Sequence, residues 1–398
     1  MPDKKTVIII GSGPAGLMAA WQLSTHCNVH LFDRNHSPGH KFLIAGKGGL
    51  NITNSLPLDK FIDQYTPKAF IEHALREFTP RDLCNWLLEL GIPTFTGTSG
   101  KIFTDKTLSP SKVLKTIFNS LTERGVFYHP GHVFVDYDNH SFFFDTEEGR
   151  KEVQADIAVL ALGGASWPQT GSKGDWTEIL NQHGIATVTF QASNCGININ
   201  WPEHIKQFHE GKALKNIAIT AGSKTIKGEA NITAYGLEGN AVYPLIPEIR
   251  KCLYEKQECN IYIDLKPDNT IQSIEDKLSN CINKPSFYAE KLRLSSTQQS
   301  IIKAYTLKEE NFSREGYARC IKNISIPVVS LRPIEEAIST AGGVSLHEMN
   351  PDMSLKRHPY IFAIGEMCDW DAPTGGFLLQ ACFSTAFLAA KSIKSIIV

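Results

Sequence analysis

Three glycines, Gly11, Gly13 and Gly16, stand in the order Gly-x-Gly-x-x-Gly within "VIIIGSGPAGLMAAWQL" (7–23), and Asp33 follows the first of them by 22 positions. Glycines in that order do three jobs: the first allows a sharp turn, the second lets a pyrophosphate approach the backbone, and the third lets a helix pack closely on a strand. A carboxylate at that distance can accept from a pair of ribose hydroxyls. The chemistry these residues predict is the holding of a nucleotide, with its phosphates on the unpaired N–H groups at a helix start.

That chemistry needs a strand, a turn and a helix in fixed order. Val7 to Ile10 is a continuous β-branched run, as expected for a strand buried on both faces of a parallel sheet. Leu17 to Leu23 has helical composition without a breaker, and Val29 to Phe32 reads as a second strand that delivers Asp33. The glycine turn alone would be weak evidence; the second strand and its carboxylate raise it.

The 398 residues, 42% hydrophobic and 20% charged, are enough for a large core and more than one domain. A formal net charge of −1 gives no global field for nucleic acid or membrane. The nine cysteines are scattered and odd in number, and no two have Cys-x-x-Cys spacing, which predicts a reducing compartment and excludes zinc-ribbon and dithiol readings. His129 and His132 in "HPGH" straddle a Pro-Gly turn and read as turn residues rather than metal ligands. The apolar C-terminal stretch is broken by Gln380, Ser384, Lys391 and Lys394, a poor membrane span, so the expectation is a soluble, cytoplasmic protein without membrane partners.

Further along, Thr66 to Leu90 carries helical patterning with a stop at Gly91 and Pro93. "SPSKVLKTIFNSLTERG" predicts a helix with Ser109 as N-cap, Pro110 in the first turn and Gly125 as the stop. Val126 to Tyr128 leads into strand-like segments at Val133 to Tyr137, Ser141 to Asp145 and Ile157 to Leu162, the last ending at Gly163 and Gly164. The character changes near Gln191. Residues 191–265 and 323–340 read as β-rich and 266–322 as polar and helical. A buried strand, Tyr360 to Ile364, then ends at Gly365-Glu366, and "APTGGFLLQACFSTAFLAA" turns into an apolar helix. The expected fold is α/β: a discontinuous nucleotide domain, 1–190 and 341–398, split by an insertion, 191–340.

The pieces in this order resemble the Rossmann-like FAD-binding domain of glutathione-reductase type. More closely, "GHKFLIAGKGGLNITN", "GTSGKIFT", "ADIAVLALGGASWPQTGSKGDW", "TAYGLEGN" and "IFAIGEMCDWDAPTGGFLLQACFSTAFLAA" are similar to bacterial NAD(P)/FAD-dependent oxidoreductases of the BaiN/RdsA, or aminoacetone-oxidase-like, type. The resemblance spans nearly the whole chain and implies a bound FAD. By it, Gly11, Gly13, Pro14, Ala15 and Gly16 would hold the pyrophosphate, with Asp33 at the adenosine ribose and Arg34 beside it. Lys41, with Gly39 and the loop carrying Gly46, Gly48, Gly49 and Asn51, would lie along the cofactor toward the flavin. Val133 would offer backbone to the adenine, and Gly163 and Gly164 would flank the cofactor. Gly365 and Glu366 would meet the ribityl hydroxyls, and Gly375, Gly376 and Phe377 the pyrimidine side of the ring. Two departures stand out: "GKGGLN" lacks the Arg and Cys of the "GGGRCN" common in related subgroups, and Lys101 stands where many have Arg.

A second Rossmann fingerprint and an active-site cysteine pair, which disulfide reductases of this type carry, are both missing from the sequence. NAD(P)H is therefore expected only as a transient reductant. The implied activity is hydride transfer between a small organic substrate and the flavin, reductase ahead of oxidase. An RNA-modifying role and a flavin-bearing sensor stay open as alternatives, although no nucleic-acid partner is expected from the charge. Tyr235 and Glu238 are candidates to face substrate or to be plain turn residues. No catalytic acid or base, and no oligomeric state, can be read from the residues.

Overall fold

The computed structural model describes residues 4–45 and 49–397. Five short strands form one parallel sheet, in the order Ile361–Ala363, Ile157–Leu160, Thr6–Ile10, Asn28–Phe32 and Phe127–His129. Val7, Ile8 and Ile9 are fully buried, which is why the first strand reads as an uninterrupted apolar run. It is the central strand of the five, with the opening helix packed against it, while Phe144 of an antiparallel meander stacks on Phe32 of the next strand. The opening helix, Pro14–Leu23, and the long closing helix, Phe377–Ile397, pack against each other.

The chain forms two compact units: residues 1–191 with 339–398, and residues 192–338. The second has its own core around Ile219, Ile261 and Ile326 on a seven-stranded sheet. Its strands include Ala213–Ala221, Lys224–Ile232, Cys259–Asp264 and Ile324–Val328, all paired antiparallel. Helices are not confined to 266–322: Glu203–His209 and Ile246–Lys256 lie in the stretch read as β-rich.

Two readings of the sequence need correction. The helical stretch 66–90 is two helices, Lys68–Glu77 and Pro80–Glu89. Proline at position 80 cannot continue a helix but starts one well, and Thr79 before it forms a capping box with Asp82. Replacing Thr79 by alanine should lower stability by about 1 kcal/mol, read as a shift of the urea midpoint at unchanged slope. The second correction concerns Val126 to Tyr128, read as leading into Val133 to Tyr137: Phe127–His129 instead pairs with Asn28–Phe32 as the edge strand of the parallel sheet. The meander is Val133–Asp138, Ser141–Thr146 and Gly149–Gln154.

The break at Phe78 explains the polar residues in the closing helix. Gln380 Nε2 and Ser384 Oγ both donate to the Phe78 carbonyl, at 3.0 and 2.7 Å. That carbonyl would otherwise be an orphan at a helix end. Lys391 pairs with Glu77 at 2.5 Å and Lys394 donates to Gln22. Among the described residues no helix is long and apolar enough to cross a membrane.

Candidate nucleotide groove

Each of the three glycines in the first turn has a distinct physical reason. Gly11 takes φ +106, and a Cβ there would stand 2.3 Å from the Ala161 carbonyl oxygen on the neighbouring strand. A Cβ on Gly16 would meet the Gly11 carbonyl at 1.9 Å, so this position lets helix and strand touch. Gly13 is different: nothing lies within 4 Å of where its Cβ would be. That space is where an incoming group can reach the backbone.

The helix start behind it is ready for an anion. Pro14 at its first position has no N–H, Leu17 donates to the Gly13 carbonyl, and the first turn carries no acidic residue. The amides of Ala15 and Gly16 lie in that first turn, where no helical carbonyl precedes them. Together with the helix dipole they favour a negative group.

Asp33 lies beside this turn, almost buried, and holds its shape. One carboxylate oxygen accepts from the Ser12 amide at 2.8 Å and from the Ser12 hydroxyl at 2.5 Å; the other accepts from the Asn35 amide at 2.8 Å. A carboxylate offers about four acceptor sites, so capacity remains for a ligand hydroxyl. Arg34 is tied back to the Gly171 carbonyl and to Asp175, which shapes the wall opposite. At the other end Lys41 Nζ donates to Ser166 Oγ at 2.7 Å and to Glu366 at 2.8 Å. The second Glu366 oxygen accepts from the Thr340 amide.

Gly11, Gly13, Pro14, Ala15, Asp33, Arg34, Lys41, Gly163 and Glu366 line a single groove. Others expected there stand one layer behind it. Gly164 makes room for Thr340 and Glu366, and Gly365 for Ala15. Val133 is not on the wall, although its neighbours His132 and Phe134 are. A separate cluster gathers the remaining candidates. Gly376, at φ +96, lies so close on Thr53 that a Cβ would meet its carbonyl at 2.3 Å. Asn54 donates to the Gly375 carbonyl, and Phe377 packs against Phe61 and Tyr65. Asn51 spends its side-chain amide on the carbonyls of Thr53 and Ile102 and Gly49 faces Phe103, so neither is on the groove wall. Gly46 and Gly48 fall outside the described residues.

Several wall residues escaped sequence reading. Ser12 sits inside the fingerprint as an unspecified position, yet its hydroxyl is the short contact to Asp33. Trp176 donates from its indole to the Gly163 carbonyl at 3.0 Å, and Ser172 to that of Gly164. Cys382 also borders the groove; burial, with Glu366 next, pushes its thiol up to about 12, so it stays protonated there.

His129 belongs to an aromatic stack with Phe32 and His30 at the edge of the same sheet. Burial first, then the nearby His30 and His132, push it down from 6.5 to about 4. The folded chain therefore refuses a proton that the unfolded chain takes up. Stability from this group is fully present above pH 6.5 and is lost as pH falls through the window to about 4. His129→Phe should flatten that part of the profile, read from urea midpoints on either side of the window.

An open approach at Gly13, an acid-free helix start and a carboxylate at the turn fit an anionic dinucleotide. The profile of the HI0933-like protein Rossmann domain matches residues 5–392. The chain belongs to the HI0933-like Rossmann flavoprotein family. That family consists of FAD-dependent oxidoreductases. The chain is similar to the 3-dehydro-bile acid delta(4,6)-reductase of Clostridium scindens, 23% identical over 96% of this chain and 98% of that one. It is equally similar to the ribosomal RNA dihydrouridine synthase of Escherichia coli, 23% identical over 98% of each. Among solved structures, 3-ketosteroid delta1-dehydrogenase from Sterolibacterium denitrificans superposes with a TM-score of 0.52 at 11% identity, covering 99% of this chain and 100% of that one. That likeness supports the fold, a Rossmann-type FAD-binding domain carrying further antiparallel sheet. The two relatives are named for very different substrates, a bile acid and ribosomal RNA.

Proposed function

We propose that this chain is an FAD-dependent reductase that passes a hydride to a small organic acceptor, with NAD(P)H as a transient donor. The observation that carries the reading is the groove itself, in which the open face of Gly13, Asp33 and the Lys41–Glu366 pair share one wall. When bound, the flavin supplies hydride chemistry at its ring and leaves the protein the tasks of binding and orientation. The amides of Ala15 and Gly16 would hold the pyrophosphate, and Asp33 the ribose. Glu366, fixed by Lys41 and the Thr340 amide, would accept from the ribityl hydroxyls. Gly376, held against Thr53, and Gly375, held by Asn54, would bring the start of the closing helix to the ring. The second compact unit, residues 192–338, would carry substrate recognition.

Reductase is favoured over oxidase by the bile-acid relative, which is named for a reduction. Anaerobic mixing with NADH or NADPH tests the proposal. The flavin absorbance should bleach with at least one of them and return on adding an enone acceptor faster than with dioxygen alone. Bleaching with neither nicotinamide would defeat the donor assignment. Reoxidation by dioxygen alone, as fast as with any acceptor, would make the protein an oxidase. The rRNA-directed relative supports a second reading, in which the acceptor is a nucleobase in RNA. Reoxidation by ribosomal RNA but not by free enones would select it.

A further inference from the structure

The second unit holds a cavity of about 670 Å³ between the strand Ala213–Ala221, the turn after Asp264 and the start of the helix Ser296–Tyr305. Three cations line it: Lys215, Lys266 and Arg293. None of the three has a side-chain hydrogen-bond or ion-pair partner among the described residues. The one acid on the wall, Asp268, is already paired with Lys227 at 3.2 Å. The cavity wall therefore carries three cations without a bonded side-chain partner and one carboxylate that is already paired, in a chain whose overall formal charge is −1.

The backbone makes this arrangement deliberately. The ladder between Ala213–Ala221 and Lys224–Ile232 slips between Leu214 and Ile217, and Lys215 and Asn216 fall in that bulge. Bulges re-aim side chains. Asn216 at φ 51 and Arg293 at φ 50 both take the left-handed conformation, and both line the cavity. For Arg293 this is the ordinary left-handed close of the helix Pro285–Lys291, with the Leu294 amide donating to the Ala289 carbonyl, and it sets where the guanidinium leaves the backbone. Lys322 fixes the turn from behind by donating to the carbonyls of Lys266 and Asn269 and pairing with Asp264. The turn is thus rigid while its own lysine is left uncommitted. Burial, then Lys277 and Arg293, lower the pKa of Lys266, so a neighbouring anion would relieve it.

We propose that this cavity binds a phosphate group, with Lys215, Lys266 and Arg293 as its charged donors. The wall carries no aromatic ring on which a base could stack, so phosphate and not base is the recognised chemistry. The phosphate could be carried by a small molecule or by an RNA strand, and the assignment does not rest on the flavin reading.

The test is calorimetric titration of the full flavin-loaded chain with inorganic pyrophosphate and, in a second arm, with a short single-stranded RNA. Saturable binding of pyrophosphate, weakened about tenfold by either Lys266→Ala or Arg293→Ala, supports a small phosphate ligand. Saturable binding of RNA alone with the same sensitivity supports the polymeric source, and its affinity should fall with added salt. Lys215→Glu, on an exposed bulge, supplies a third variant that leaves the core untouched. Flavin content should be unchanged in all of them. Failure of both probes to saturate, or binding that is indifferent to all three substitutions, overturns the proposal.

Discussion

Gly13→Asp should give folded protein that no longer retains flavin. The position has nothing within 4 Å of the place a Cβ would occupy, so the side chain meets open space and the core does not notice it. What it fills is the approach to the Ala15 and Gly16 amides. A carboxylate there also occupies the anion site in place of a pyrophosphate and repels it. Losing one to two charge-assisted contacts of about 1.5–3 kcal/mol each weakens binding by roughly 10-fold to 10,000-fold, before the repulsion is counted. Gly16→Val separates the two roles of the fingerprint. Its Cβ would stand 1.9 Å from the Gly11 carbonyl, so that variant should lose the fold along with the cofactor. Thermal melting together with the ratio of visible to ultraviolet absorbance distinguishes the outcomes. A Gly13→Asp protein that keeps stoichiometric flavin would place the pyrophosphate elsewhere.

Asp33→Ala has the second largest expected effect, and it acts on both stability and binding. Its carboxylate satisfies two backbone amides and one hydroxyl at a nearly buried turn. Stranding a buried donor costs about 1–3 kcal/mol, so the two amides together put the loss at about 2–6 kcal/mol before any ligand is considered. Asp33→Asn keeps one acceptor oxygen and should fall between wild type and alanine in urea midpoint. Flavin affinity should drop in both, since the turn that presents Gly13 loosens. An alanine variant with an unshifted midpoint and undiminished flavin would show that the turn holds its shape without this side chain.

How much of this could be read from the residues depended on range. The fingerprint was legible because its physics is local: a turn, an opening and a close contact within six positions. The capping helix at Pro110 was legible for the same reason, and Ser109 does accept from the Lys112 amide. Pro80 carried an equally local signal that the apolar periodicity on either side obscured. The strand Gly149–Gln154 gave no signal, because "GRKEVQ" faces solvent almost throughout and has no apolar alternation. Longer-range facts were hidden altogether. Nothing in the spacing of Lys41 and Glu366, or of Asn54 and Gly375, says that each pair meets across more than 300 positions. In the same way, Asn51 looked available for a ligand because one of its two backbone partners, Ile102, arrives from a different strand.

The groove divides labour between residues that touch a ligand and residues that hold them. Gly16, Gly164 and Gly365, and Gly11 although it also borders the groove, act by letting other atoms come close. Gly13, Asp33 and Glu366 stand on the wall itself. Substitutions in the first set are expected to unfold the domain, whereas Gly13 is the position where binding alone is lost. This split makes the cofactor assignment testable without knowing the substrate.

The most direct measurement is the stoichiometry of flavin released from the purified chain by denaturation. One FAD per polypeptide, with the yellow colour lost in folded Gly13→Asp, is the predicted result. Wild-type protein that is folded by circular dichroism, colourless, and unable to take up added FAD would contradict the account at its centre.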